Sequence, residues 1–479
     1  MMRCLRSRLL PLAALLLPLL LIPQGGCGQP EEEKPASVIF MIGDGMGPAA
    51  IALARWALLE PGERLTLEQL PEVGWVTTYS SNNAVTDSAA SGTAMAAGIK
   101  TDNQMIGMTP DEQPVRTIAD LAQDQGWKVG YVTTTEITHA TPASFYGSIK
   151  NRYKPEEVDK LAPQLLEQGP DLILAGGWAD FLPYRSYGSR QDDRNLLEEF
   201  EAAGYTLWQD REDLEGEPPE KLLGLLAGGH MPYELDNQRI PEALRYPDLQ
   251  RLTEVALKAL GTGDQPFFLM IEGGRIDHAG HSFDAAGVIA EMAAFDRAVE
   301  AVMEYQKEHP ETLVLITADH ATGGLAINDF VDWEMISRQS ASVDWMKADV
   351  RDEDDPKGAE YLDELSGFDQ YPEEEVPHFT EEEVLAVRLE GDSYNAGRIL
   401  GRALGDRTGV TWLPRVDGFN TGGHTGEDVP IFAAGPGAAS FGGNLDNTDI
   451  PKVLSQLLGW PEPGVASGTG EQASQGASE

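Results

Sequence analysis

Asp277 and His281 stand four residues apart, a spacing that puts both side chains on one face of a helical turn, with Glu272 just upstream at the end of an apolar run. Asp319-His320 follows the apolar run 313–317, His424 lies in Thr421-Gly422-Gly423-His424-Thr425-Gly426, and Asp44 closes the apolar run 38–42. Imidazoles with carboxylates suit Zn2+, and carboxylate with hydroxyl oxygens suits Mg2+. Each fragment alone has a plainer explanation. An Asp-His pair is an ordinary solvated turn, Asp277 and His281 make a helix-surface contact, and Asp44 between two glycines makes a tight turn. Repetition outweighs these explanations, because four strand ends all offer ligand groups.

Ser88, in Asp87-Ser88-Ala89-Ala90-Ser91-Gly92-Thr93-Ala94, stands near the start of a helix built from small residues. A helix N-terminus presents backbone N–H groups and a positive dipole end to an anion. The alternative is that Ser88 only caps the helix. It becomes a nucleophile if a base or a metal activates its hydroxyl. No Gly-x-Ser-x-Gly elbow occurs in the chain. Gly43-Asp44-Gly45-Met46-Gly47-Pro48 follows a strand, but the dinucleotide pattern fails at Pro48, and no Gly-Lys-Ser/Thr sequence exists. Both nucleotide readings are rejected.

These groups need a scaffold to bring them together. Apolar runs at 38–42, 128–134, 172–175, 267–271, 313–317 and 431–434 predict strands, and 155–168, 249–260 and 285–308 predict helices. Strands alternating with helices imply an α/β fold with helices on both faces of the sheet, whose ligands gather beyond the carboxyl ends of the strands. The 479 residues allow a large core. Lys plus Arg number 35 against 78 Asp plus Glu, a net charge of −43. That balance argues against a nucleic-acid partner and against binding anionic lipid through a basic patch. Hydrophobic content of 41% and nine Trp place the chain among globular proteins despite its acidity.

Arg3, Arg6 and Arg8 precede an apolar run over 9–22, too short to span a bilayer, with the layout of an export signal over 1–26. Cys4 and Cys27 are the only cysteines, so removal of the signal leaves no internal disulfide. Cys27 after Gly25-Gly26 is similar to a lipidated bacterial cysteine, with Gln24 where such signals usually carry Leu. The expectation is an exported protein of the bacterial periplasm or envelope, anchored through Cys27 or simply cleaved. Residues 27–36 are expected as a polar tether, 37–460 as the catalytic domain and 461–479 as a disordered tail. An acidic surface insertion is expected at about 329–415, most acidic over 344–383.

Gly43-Asp44-Gly45-Met46-Gly47, Val85-Thr86-Asp87-Ser88-Ala89-Ala90, His139-Ala140-Thr141-Pro142-Ala143, Glu272 through His278, Thr317-Ala318-Asp319-His320 and Gly423-His424-Thr425-Gly426 together resemble the alkaline phosphatases, in the family's order. The resemblance spans about 38–460 and is weakest over 344–383. It implies a large central, mostly parallel sheet between helices, with an inserted crown-like region, and hydrolysis of phosphate monoesters through a phosphoserine at Ser88. It further implies two Zn2+ and one Mg2+ per subunit: one Zn2+ on Asp277, His281 and His424, the second on Asp44, Asp319 and His320, and Mg2+ on Asp44, Thr141 and Glu272. Arg152 resembles the family's phosphate clamp, and His139 and His278 would stand behind Mg2+ and hold its water. Small phosphate monoesters and inorganic phosphate are the implied partners. Dimers are common in the resembled family, so a homodimer is one assembly the resemblance allows, although no stretch of the sequence marks an interface. The rival readings are a phosphodiesterase or other two-metal hydrolase of the same superfamily, and a secreted metal- or phosphate-binding protein without turnover.

Overall fold

Ten strands form one sheet: β1 (Ser37–Gly43), β2 (Glu72–Thr77), β3 (Lys128–Glu136), β4 (Leu172–Gly176), β5 (Thr206–Trp208), β6 (Leu222–Leu225), β7 (Phe267–Gly273), β8 (Thr312–Ala318), β9 (Val429–Ala434) and β10 (Gly443–Asp446). The computed structural model describes residues 34–352, 354–413 and 421–465. The expected export segment, Cys27, most of the tether and the tail beyond 465 lie outside the described residues. The strand order is β10-β2-β9-β8-β1-β7-β3-β4-β6-β5. All pairings are parallel except the two that β9 makes with β8 and β2. The fold is therefore α/β with a mostly parallel central sheet flanked by helices, as expected.

β1, β7 and β8 are buried at every residue. Strands covered on both faces carry continuous apolar runs, which is why these were visible as strands. β2, β5, β6 and β10 were not anticipated. β2 leaves Val73 and Trp75 half exposed, while the other three have only three or four residues, too few to establish a period.

The helices that bear on the site are, in chain order, α1 (Ser88–Ala97), α2 (Leu249–Leu260), α3 (Arg275–His281), α4 (Ala285–Glu308), α5 (Val343–Val350), α6 (Ala359–Ser366), α7 (Glu381–Leu389) and α8 (Ser393–Thr408). α2 and α4 coincide with the helices expected at 249–260 and 285–308, and Asp248 and Asp284 cap them by accepting from Arg251 N–H and Gly287 N–H. The expected helix 155–168 is instead two, Pro155–Val158 and Leu161–Gln168. The break falls where Asp159 turns to another segment, its main-chain oxygen accepting from Arg190 and its carboxylate from Gln191 N–H.

Helices α5 to α8 enclose a second apolar cluster containing Met346, Leu362, Phe368, Val384 and Leu400. Core carboxylates fasten this region: Asp284 accepts from Val343 N–H at 2.7 Å and Asp236 from Ser342 N–H at 2.7 Å. Each satisfies an otherwise orphaned donor at the start of α5.

Candidate active site

The register of the sheet sets the level of the ligands. Gly43 of β1 pairs with Gly273 of β7 and with Ala318 of β8. Asp44 and Asp319 therefore leave the sheet side by side, and Glu272 lies one residue back, opposite Thr133. The cap of α1 is Asp87, whose carboxylate accepts from Ala90 N–H at 3.0 Å, and Ser88 is the first helical residue. Ser88 is thus free of capping duty, and its Oγ lies 3.2 Å from His320 Nε2. On α3 the four-residue spacing brings Asp277 Oδ2 within 3.2 Å of His281 Nε2.

Hydrogen bonds assign the histidine tautomers. His281 Nδ1–H donates to Gly422 O at 2.9 Å and His424 Nδ1–H to Thr86 O at 3.0 Å. Thr322 spends its hydroxyl proton on Asp277, so it accepts from His320 Nδ1–H at 3.2 Å. All three Nε2 atoms consequently carry lone pairs into the site, and those of His281 and His424 face each other at 3.1 Å. Metal-binding imidazoles are held in this way, one nitrogen tied back and the other free.

The carboxylates show a matching asymmetry. Asp319 Oδ1 accepts from Gly45 and His320 N–H, Asp44 Oδ2 from the Thr141 hydroxyl, and Glu272 Oε2 from the Thr133 and Thr135 hydroxyls. The second oxygen of each (Asp319 Oδ2, Asp44 Oδ1, Glu272 Oε1) is buried with no donor. Burying bare carboxylate oxygens is costly unless cations meet them. The donor set fits divalent metals on this count. Three groups of ligand atoms each lie within 4.8 Å of one another: Asp277, His281 and His424; Asp44, Asp277 and His320; and Asp44, His139 and Glu272. Asp277 thus stands between the first two groups, while Asp319 Oδ2 lies 3.1 Å from His320 Nε2.

Electrostatics agree. Burial pushes Asp319 up to about 8, reinforced by the charges of Asp277 and Glu272, and pushes Glu272 up to about 7. Asp44 is likewise raised by burial and by its carboxylate neighbours. Burial would raise Asp277 too, but His281, His424 and His320 outweigh it and hold Asp277 well below the usual carboxylate range. Burial drives His424 down to about 3, which keeps its Nε2 lone pair available.

Ser88, Arg152, His139, His278, Asp277, His281 and His424 line a common cavity of about 370 Å3. Arg152 Nη2 donates to His139 Nε2 at 2.9 Å, and its Nη1 lies 4.0 Å from Asp87. His139 therefore carries its proton on Nδ1, which is buried without an acceptor beside the Asp44–Glu272 group. His278 Nδ1 accepts from Arg275 at 2.7 Å. Every site residue expected from sequence, Cys27 aside, falls in or around this one region. Sequence reasoning missed His230, whose ring lies 5.4 Å from that of His139 and 4.6 Å from that of His278, and which accepts from Glu136 N–H. It also missed Thr133, Thr135, Thr322 and the cavity-lining Tyr394 and Arg398 of α8. No local pattern marks these residues.

The model of the family described as alkaline phosphatase matches residues 36–460. Alkaline phosphatase 3 of Bacillus subtilis is 33% identical over 446 residues, covering 89% of this chain and 90% of its own. The solved alkaline phosphatase of Thermus thermophilus matches with a TM-score of 0.78 and 28% identity, over 93% of this chain and 97% of that one. An alkaline phosphatase of the Antarctic bacterium TAB5, with one histidine replaced by aspartate, matches at a TM-score of 0.64 and 26% identity, over 90% of this chain and 99% of that one. Its structure is described as having Mg bound in the M3 site.

Proposed function

The chain belongs to the alkaline phosphatase family, metal-dependent phosphomonoesterases, and from that premise we propose that it cleaves small phosphate monoesters through a phosphoserine at Ser88. Asp277, His281 and His424 would hold one Zn2+, and Asp44, Asp319 and His320 the other. Asp44, Thr141 and Glu272 would hold Mg2+. Bound there, the ions supply Lewis acidity that lowers the hydroxyl pKa and offsets phosphoryl charge.

In the first step Ser88 Oγ attacks phosphorus in line with the leaving oxygen. The P–O bond to the alcohol breaks as the O–P bond to Ser88 forms. The serine proton goes to solvent, and the departing alkoxide takes one back. Arg152, in the same cavity as Ser88, can clamp two non-bridging oxygens with its planar fork. In the second step water attacks the phosphoserine, releasing inorganic phosphate and restoring the hydroxyl. The site must be locally cationic, because a chain of net charge −43 repels a phosphate dianion. His139 is grouped with Asp44 and Glu272, and its buried Nδ1–H has no acceptor. There it would hold water around Mg2+ rather than ligate the ion.

The observation that carries this reading is Ser88 Oγ beside His320 Nε2, together with three buried carboxylates, Asp44, Asp319 and Glu272, that each keep one oxygen bare. Acid quenching during turnover of a 32P-labelled monoester should leave label on Ser88. Ser88→Ala should lose the label, the burst of alcohol release and roughly 10³-fold or more of kcat. Label on another residue would overturn the assignment.

A further inference from the structure

Arg398 lies on α8, in the segment inserted between β8 and β9. Its Nε donates to the main-chain oxygen of His281 at 3.1 Å, and its Nη2 donates to the main-chain oxygen of Gly422. The same Gly422 oxygen accepts from His281 Nδ1–H. One guanidinium therefore ties the end of α3, which carries His281, to the loop that carries His424.

The loop is built to admit this tie. Gly422 and Gly423 have φ of +71° and +115°, backbone that favours glycine. A Cβ on Gly422 would lie 3.2 Å from His281 Cε1, and one on Gly423 would lie 2.9 Å from Arg398 Nη2. Side chains there would press on both partners of the shared oxygen. The guanidinium rests over Phe283, 5.4 Å from the ring centroid, and Phe283 stacks on Trp412 at 5.2 Å. Asp344 of α5 adds a second tie beside the ligand, accepting from the Ser282 hydroxyl at 2.9 Å.

Resting on the metal assignment above, we propose that Arg398 is a positioning residue for the His281–His424 metal pair, through which the acidic insertion braces the site. Two imidazole lone pairs 3.1 Å apart repel. Without a brace, that repulsion would open the pair, and a cation would have to draw it together at a cost in affinity. The brace holds the ligands in place before the ion arrives. Lysine cannot replace it fully, since an ammonium lacks the planar fork that reaches two carbonyls at fixed angles.

The test uses the full chain and Zn2+ alone, titrated in competition with a chromophoric chelator. It is run on wild type, Arg398→Gln, Arg398→Lys and His424→Ala, with thermal unfolding of each metal-free form alongside. Arg398→Gln should weaken one zinc site roughly 10–100-fold, as outer partners of ligands do. Its metal-free melting curve should match wild type, and Arg398→Lys should fall between the two. Affinities within about twofold of wild type at both sites would overturn the brace. So would a metal-free Arg398→Gln protein that melts early by as much as the loaded one, because the residue would then serve only stability. If His424→Ala binds as many zinc ions as wild type, the metal assignment itself fails, whatever Arg398 does.

Discussion

His281 and His424 aim Nε2 at Nε2 across 3.1 Å while each gives its Nδ1 proton to a main-chain oxygen, Gly422 for one and Thr86 for the other. Neither ring can donate to its neighbour without breaking its own tether. Asp277 lies beside both, 3.2 Å from His281 and 3.6 Å from His424. A cation shared by all three resolves the conflict. His424→Ala should therefore cost more than the roughly 10–100-fold in zinc affinity that outer partners cost, and remove one zinc ion at moderate chelator. Metal analysis after dialysis checks this, and an unchanged zinc content would contradict it.

Stripping the metals should make folding stability fall as pH rises from 7 to 9. Asp319, held up to about 8, and Glu272, held up to about 7, keep protons in the native state that the unfolded chain has already released. The native state then binds more protons, and stability decreases with pH. The buried histidines, driven down by burial, are neutral in the native state, whereas roughly a quarter of each unfolded imidazole still carries a proton at pH 7; the small opposing slope this gives is shared by the metal-free and loaded forms. Glu291, pushed up to about 8 by burial, acts with the same sign whether or not metal is present. The loaded enzyme is therefore the reference. Urea unfolding should show the metal-free form losing on the order of 2 kcal/mol more than the loaded form across this window. Parallel pH dependences would refute the expectation.

His139→Asp should lower the Mg2+ concentration for half activation by roughly tenfold, because a carboxylate holds the ion and its water more firmly than a neutral imidazole. The carboxylate would also draw on Arg152, which now donates to His139, so KM for the monoester should rise in parallel. A Mg2+ titration from pH 6 to 9 decides the matter, and an unchanged Mg2+ requirement would end the proposed role of His139.

Cys27 is expected to be the lipid-bearing first residue of the mature protein, with 28–35 as its tether. Mass spectrometry of the N-terminal peptide should find a diacylglyceryl adduct on Cys27. A free thiol there, or cleavage further along, would discard the anchor and leave the enzymology untouched.

The candidate ligand positions were legible because each is announced locally. Asp44, Asp319 and His320 follow strands whose apolar runs are continuous, Asp277 and His281 are one helical turn apart, and His424 sits among glycines. Short-range periodicity reports such features directly. Which atoms meet is another matter. Ser88 and His320 are 232 residues apart, and His281 and His424 are 143 apart. Their meeting depends on strand order and register, which no local pattern encodes. The same holds for His230 joining His139 and His278 and for Asp277 standing between two ligand groups rather than in one, whereas the break at Asp159 is marked locally by Pro163, which has no N–H to give the Asp159 oxygen and leaves it to Arg190. Arg398 illustrates the limit most plainly. In sequence it is one of several arginines on an amphipathic helix, and only folding lays its guanidinium across the two segments that carry the histidines, because a side chain's role is set by what the rest of the chain packs against it.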